Sequence, residues 1–207
     1  MTCQILAIMG SPIPDGNIAK LLKAAKEGAE ECGCTVSVID VTALRFSGCM
    51  EYFYCKQNEG CMIQDDITPI IKRVKNADGI ILAAPVMTMG FPGMIKSFID
   101  RMQPFFMAKY IRKEPMITKN QAKWRKTLLI SIGGMNVDND FDGIKLTTNA
   151  FCNIVDSKLY AEVLQNNMDS IEDVASKEGL LEETRKITAA MCRQIIADKE
   201  KYAESDA

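Results

Sequence analysis

The sequence predicts a three-layer α/β sandwich: a five-stranded parallel sheet of order 2-1-3-4-5 with helices on both faces. Three observations predict it. Short apolar runs alternate along the chain with longer stretches of helical period. The third and fourth runs, Gly79–Ala84 and Thr127–Ile132, lack polar alternation, as strands do when both faces are covered. Each run is separated from the next by a helical stretch rather than a hairpin turn, which makes βαβ units.

The elements follow in order. Gln4–Met9 is a buried strand that ends at Gly10. Asn17–Glu31 is a helix with Ile18, Leu21, Leu22 and Ala25 on one face, ended by Gly33. Thr35–Asp40 alternates and is β-branched, so it is the second strand. Ile67–Ala77 is helical, with Asp65, Asp66 and Thr68 as candidate N-caps. After the third strand, Ile95, Phe98, Ile99 and Met102 recur at helical spacing over Gly93–Met102. The fourth strand ends at Gly133 and Gly134, and Asp142–Ile154 is the next helix. Leu159–Leu164 is a weaker fifth strand. A long amphipathic helix covers about Glu178–Asp198, and the charged tail after it is expected to fray. The whole of 1–207 is taken as one domain, with a cysteine-containing insertion at about 41–64 and a basic one at about 105–125.

Composition removes several chemistries. Hydrophobic residues at 47% are enough for a core, while histidine is absent. No Ser-His-Asp triad, Cys-His dyad or histidine-ligated metal is therefore available, and no side-chain base is assigned. A cofactor is expected to carry any chemistry. A net charge of −2 argues against a nucleic-acid partner. The first apolar run has no basic segment before it, and no run approaches the roughly 20 residues of a membrane span. A soluble, cytoplasmic chain is expected, in which the eight cysteines are free, metal-bound or redox-active rather than paired in disulfides.

In such a sheet ligands bind outside the carboxyl ends of the strands, where strands 1 and 3 diverge. The first loop there is Gly10-Ser11-Pro12-Ile13-Pro14-Asp15-Gly16-Asn17. It lacks the lysine of a P-loop and the third glycine of the dinucleotide fingerprint. A single phosphate monoester fits better, held by main-chain N–H groups at the helix start with Ser11 and the Asn17 side chain. The alternative is an ordinary strand-to-helix turn with Ser, Asp and Asn caps. The second loop, Pro85-Val86-Met87-Thr88-Met89-Gly90-Phe91-Pro92-Gly93, is apolar yet lies at a strand end. It suits the edge of a flat aromatic ligand, bonded by N–H groups of Val86–Met89 and covered by Met87 and Met89. The alternative is a packed loop or a subunit contact.

Three stretches carry a resemblance. GSPxxxGN at Gly10–Asn17, AD-G-I-I-L-A-x-P-V at Ala77–Val86 and M-I-K-S-F-I-D-R at Met94–Arg101 resemble the NAD(P)H-dependent FMN reductase family over about residues 4–165. The cysteine segment followed by Asp65-Asp66 is similar to its iron–sulfur flavoprotein branch. The resemblance implies a flavodoxin-like fold and FMN as cofactor. It puts the phosphate on Ser11, Pro12, Gly16, Asn17 and Ile18, and the ring against Pro85, Val86, Met87, Thr88 and Met89. The Ser131-Ile132-Gly133-Gly134 loop closes the third side. Met87 stands where the family often has an aromatic residue, and Ile18 where it often has Thr or Ser. By the same resemblance the chain is an oxidoreductase taking electrons from NAD(P)H to a small acceptor: a quinone, a flavin or a metal ion.

The branch also implies four cluster thiolates. Cys49, Cys55 and Cys61 occupy three of the places, and Tyr52 stands in the second. The segment is a three-thiolate iron–sulfur site, a loop of free thiols, a redox pair or a zinc site. Tyr52, Phe53 and Tyr54 either cover a flavin or pack the loop onto the domain. Cys3, Cys152 and Cys192 fall on strand or helix patterns as small buried hydrophobes, and Cys32 and Cys34 flank the turn at Gly33. The basic stretch Lys109–Lys126 attracts cofactor phosphates or an acidic partner, or is a solvated face or subunit contact. Two other functions remain: an electron carrier with FMN and a cluster, and a binding module that kept the fold without the flavin. Apolar surface on the second loop and around Tyr52 leads us to expect a homodimer or homotetramer.

Overall fold

The computed structural model describes residues 2–203. Its sheet consists of β1 (Cys3–Met9), β2 (Cys34–Asp40), β3 (Gly79–Pro85), β4 (Lys126–Ile132) and β5 (Lys158–Gln165), in the order β2-β1-β3-β4-β5. Every pairing is parallel. This is the flavodoxin-like arrangement that the alternation of elements predicts. β1, β2, β4 and β5 each begin one residue before the apolar run, because the ladder pairs Cys3 with Cys34 and Lys126 with Lys158.

Two dry cores explain the missing alternation. Leu6, Ile8, Ile80, Leu82 and Leu129 pack under the helices Ile67–Asn76, Gly93–Asp100 and Asp142–Ile154. The intervening residues Ile5, Ala7, Ile81, Ala83, Leu128 and Ile130 pack under Asn17–Glu30 and Leu180–Ala203. Successive side chains point to opposite faces, so a strand with helices on both sides is apolar throughout. No described helix is long and apolar enough to cross a membrane.

The structure corrects several boundaries. The helix after β3 ends at Asp100 rather than Met102, and Arg101 turns into the interior. The last helix runs on to Ala203, beyond the apolar pattern that stops near Asp198. Ion pairs hold that extension: Lys126–Asp198 at 2.8 Å and Lys199–Asp78 at 2.8 Å. The rest of the tail expected to fray lies outside the described residues. The 41–64 stretch holds a 3-10 turn at Val41–Ala43 and one helical turn at Tyr54–Gln57.

Part of the basic stretch is scaffolding: Arg125 and Lys126 are buried, Lys109 and Arg112 are half-buried, and Lys113, Lys119 and Lys123 are exposed. The stretch is built from Gln103–Phe106, a π-helical turn Met107–Arg112 and the helix Lys119–Trp124. Arg125 is 1% exposed and donates to the carbonyls of Val74 (3.0 Å), Lys75 (3.1 Å) and Ala77 (2.6 Å). It thereby caps the end of the Ile67–Asn76 helix, whose last carbonyls have no partner of their own. Burial pushes its pKa down to about 10, which leaves it charged. Lys109 pairs with Asp156 at 2.7 Å, and Arg112 donates to the carbonyls of Cys55 and Asn58.

The first and last helices cross at Gly28, where an added Cβ would lie 2.2 Å from the Arg185 carbonyl oxygen. Gly28→Ala forces these backbones apart and should lower stability by about 1–3 kcal/mol in urea unfolding.

Candidate functional site

β1, β3 and β4 are neighbours, so the loops at their carboxyl ends meet at one rim. Backbone hydrogen bonds stitch them together. Gly10 N–H donates to Ala83 O (2.8 Å), joining the first loop to β3. Val86 N–H donates to Ile132 O (2.7 Å), joining the second loop to β4. The Asp142–Ile154 helix closes on the second loop at Gly143, where a Cβ would stand 2.1 Å from Met89 O. Only glycine permits that approach. Gly143 ends the Gly133–Gly143 loop that the strand order places at this rim, but it was not among the residues assigned to the cofactor from sequence.

In the first loop Ser11 is buried, and its Oγ accepts from Ile13 N–H (3.3 Å). Gly16 N–H closes a turn onto Ile13 O (3.2 Å). The main-chain N–H groups of Ser11, Asn17 and Ile18 have no acceptor among the described residues. The Asn17 side chain, expected to face an anion, is engaged elsewhere. Its Nδ2 donates to Glu172 O (2.7 Å) and its Oδ1 accepts from Val174 N–H (3.0 Å). Asn17 therefore braces the loop against the 172–174 segment and offers its main chain to the rim. Ile18 is buried in the core and likewise offers only its N–H. Pro12 is exposed and has no N–H.

The second loop is a tight turn in which Met87 N–H donates to Gly90 O (2.9 Å) and Gly90 N–H to Met87 O (3.1 Å). Both central residues are left-handed: Thr88 at φ 50° and Met89 at φ 60°. A β-branched residue there is an outlier, and such strain of about 1–3 kcal/mol per residue gathers at functional sites. Val86 and Met87 use their N–H groups within the protein, so of the four expected donors only Thr88 and Met89 remain. Pro85 ends β3.

The third loop begins at Gly133 and Gly134. Gly133 N–H donates to Gln165 O (2.9 Å), and their carbonyls accept from Met168 (3.0 Å) and Asp169 (3.1 Å). Cβ atoms here would collide with carboxylates, Asp140 at Gly133 and Asp169 at Gly134. Asp140 is 1% exposed, and its Oδ2 has no partner. Burial, and then the Asp169 charge, push its carboxyl above the usual carboxylate range. Ile13, Met87, Met135 and Val137 are exposed around the same rim. Unpaired main-chain donors, no cation in the Gly10–Asn17 loop and apolar side chains from three loops fit a phosphate monoester attached to a flat apolar ring. FMN is such a molecule.

Cys49, Cys55 and Cys61 line a single cavity with Tyr52, Phe53 and Met107. Among the described residues, no three Cys, Asp or Glu side chains gather to hold a metal ion. As placed, the three thiols do not fit an iron–sulfur cluster. What organises the segment is a buried ion pair. Arg101 binds both carboxylate oxygens of Asp65 and the carbonyls of Ser47 (2.9 Å) and Ile63 (3.3 Å). Burial alone would raise the Asp65 pKa, but Arg101 and N–H groups of Ile67 and Ser47 hold it below its ordinary value. Asp65 also accepts from Ile67 N–H (3.0 Å) as Thr68 Oγ1 accepts from Asp65 N–H (3.1 Å), a reciprocal cap for the following helix.

The model of a family described as NADPH-dependent FMN reductase matches residues 3–137. An iron-sulfur flavoprotein of Methanocaldococcus jannaschii is 32% identical over 111 residues, covering 54% of this chain and 58% of that protein. One from Methanosarcina thermophila is 30% identical over 131 residues, covering 63% of each. The match spans less than two thirds of either relative's length. Among solved structures, an NAD(P)H:quinone oxidoreductase from Methanothermobacter marburgensis superposes with a TM-score of 0.68 at 17% identity, over 91% of this chain and 98% of that one. That likeness is one of fold.

The raised Asp140 pKa fixes a sign. The native state favours the protonated carboxyl, so its contribution is complete below the unfolded pKa near 3.8 and is lost as pH rises through the higher native value. Asp140→Asn should remove that loss. Denaturant titrations should find the variant more stable than the parent at pH 8, with the gap closing towards pH 4.

Proposed function

Since the chain belongs to the NADPH-dependent FMN reductase family, we propose that it is an FMN-dependent oxidoreductase that takes electrons from NADH or NADPH and delivers them to a small acceptor such as a quinone, a free flavin or a metal ion. One observation carries this reading: two neighbouring loops present unpaired main-chain N–H groups, without a cation in the first loop, beside exposed methionines. The N–H groups of Ser11, Asn17 and Ile18 would hold the phosphate, with Pro12 and Gly16 shaping the turn. Pro85, Val86, Met87, Thr88 and Met89 would meet the ring, the last two as donors at its edge. Gly133 and Gly134 would line the third side.

Bound FMN supplies hydride acceptance and one- or two-electron release. The chain's own part is to bind and orient. Main-chain donors are fixed by the sheet and do not titrate, so they hold a dianionic phosphate with the helix dipole and no counter-ion. The strained turn leaves Thr88 and Met89 N–H unpaired, and Gly143 packs against its Met89 carbonyl. A histidine-free chain is consistent with chemistry that asks for no side-chain base. The cluster-bearing electron carrier is the weaker reading, because Cys49, Cys55 and Cys61 do not converge on a metal position.

Titration of the purified chain with FMN should quench flavin fluorescence at a ratio of one to one, and NADH or NADPH should then bleach the bound flavin anaerobically. Failure to bind FMN would overturn the reading. Gly143→Ala pushes on the Met89 carbonyl and should weaken FMN binding about tenfold. Cys49→Ser should leave it unchanged.

A further inference from the structure

The segment 167–174 ties the third rim loop to the first. At one end the main-chain N–H groups of Asn167, Met168 and Asp169 donate to the carbonyls of Met135 (2.8 Å), Gly133 (3.0 Å) and Gly134 (3.1 Å). At the other end successive residues hold the start of the Asn17–Glu30 helix. Glu172 O accepts from Asn17 Nδ2 (2.7 Å), Asp173 pairs with Lys20 (2.6 Å), and Val174 N–H donates to Asn17 Oδ1 (3.0 Å). An amide can meet a carbonyl and an N–H together in this orientation alone, so both ends of the Asn17 side chain are committed. Met168 and Val174 are buried and anchor the strap in the core. Between them Glu172 is held at φ 62°, ψ −48°, with Asp173 N–H donating to Ile171 O (2.7 Å). That is the strained form of the three-residue γ-turn, and such strain persists only where the surroundings over-determine it. The strap lies past residue 137, where the family match ends.

We propose that this strap is a clasp on the flavin site and that Asn17 is the positioning residue that closes it, setting the preference for FMN over riboflavin. The inference rests on the FMN reading above. Asn17 and Ile18 supply two of the unpaired N–H groups of the first loop. A side chain fixed at both ends leaves its own backbone little freedom, so the clasp holds those two donors in one geometry before a phosphate arrives. The side chain does this without touching the phosphate, because its donor and its acceptor are spent on the strap.

The clasp acts on one part of the ligand. FMN and riboflavin carry the same ring and differ in the phosphate alone. The second-loop donors Thr88 and Met89 sit in a turn held by its own Met87–Gly90 bonds, which do not involve the strap. The strap also keeps its bonds to Gly133 and Gly134 when Asn17 lets go. Opening the clasp therefore costs phosphate binding and spares ring binding. It can be opened without altering Asn17. Val174 is the first residue of a 3-10 turn, and Asp173 before it is extended at φ −125°, ψ 123°. The first position tolerates proline, and the second suits the residue before one. Val174→Pro thus removes the N–H that Asn17 Oδ1 accepts at a place where the chain admits the ring.

The test measures dissociation constants of FMN and of riboflavin for the whole chain by fluorescence quenching. Asn17→Ala and Val174→Pro should each weaken FMN about tenfold and riboflavin less than about threefold. The readout is the ratio of the two constants, because a merely structural role would weaken both ligands alike. In the parent, FMN should slow amide hydrogen exchange across 167–174, and riboflavin should not. The proposal is overturned if either variant keeps the parent's ratio, or if FMN leaves exchange in the strap unchanged. A loss at Asn17 alone would mean that its amide contacts the phosphate itself. Should a variant not fold, the exchange measurement on the parent decides. A parent that binds no FMN overturns the functional reading and this inference together. One that binds FMN, with the ratio unaltered in the variants, overturns this inference alone.

Discussion

Both faces of the sheet are dry, and that constraint governs where polar backbone can be left unpaired. Inside the layers every strand N–H and C=O must find a ladder partner, because an orphan there costs about 1–3 kcal/mol. At the carboxyl rim the ladder runs out while the chain must still turn into a helix. There, with no cation in the Gly10–Asn17 loop, Ser11, Asn17, Ile18, Thr88 and Met89 keep free N–H groups. Rigidity comes from the same source. The rim loops begin on buried strands and are cross-linked by Gly10–Ala83 and Val86–Ile132 bonds. The donors are therefore held in place before any ligand arrives.

Much of this was legible in the sequence because it is encoded locally. Ile95, Phe98 and Ile99 declare a helix within a single turn, and Ile80–Ala84 declares a strand covered on both faces. The strand order follows once βαβ units are recognised. The loops that form the rim were legible for the same reason, each lying at a fixed offset from its strand. Long-range partners were not. The Asn17 amide finds Glu172 and Val174 more than 150 residues away, and nothing near Asn17 announces it. The left-handed pair Thr88–Met89 defied local rules, since such turns usually carry Asn or Gly. Asp140 and Gly143 gained meaning only when their loop folded against Gly133 and Met89.

The cysteine segment is organised by more than the spacing of its thiols. Cys49, Cys55 and Cys61 resemble a ligand set with one member replaced, which directs attention to metal chemistry. In the fold, the segment is drawn together by Arg101, whose guanidinium reaches its two ends at Ser47 and Ile63 as well as Asp65. The thiols line an apolar cavity beside Tyr52 and Phe53, and Glu51 and Phe53 are both left-handed. Arg101 lies in M-I-K-S-F-I-D-R, one of the stretches that carries the family likeness. Part of that likeness therefore records how this loop is anchored.

Arg125 shows what such anchoring demands of residue type. At its buried position the guanidinium loses part of its affinity for a proton and yet stays ionised, with a pKa of about 10. A lysine starts near 10.4, and the same displacement would bring its ammonium close to physiological pH. A single ammonium also could not span carbonyls on three successive parts of a helix end as a planar fork does. The position therefore admits arginine and excludes its nearest chemical substitute, and drift at this site would show in proton affinity before it showed in shape.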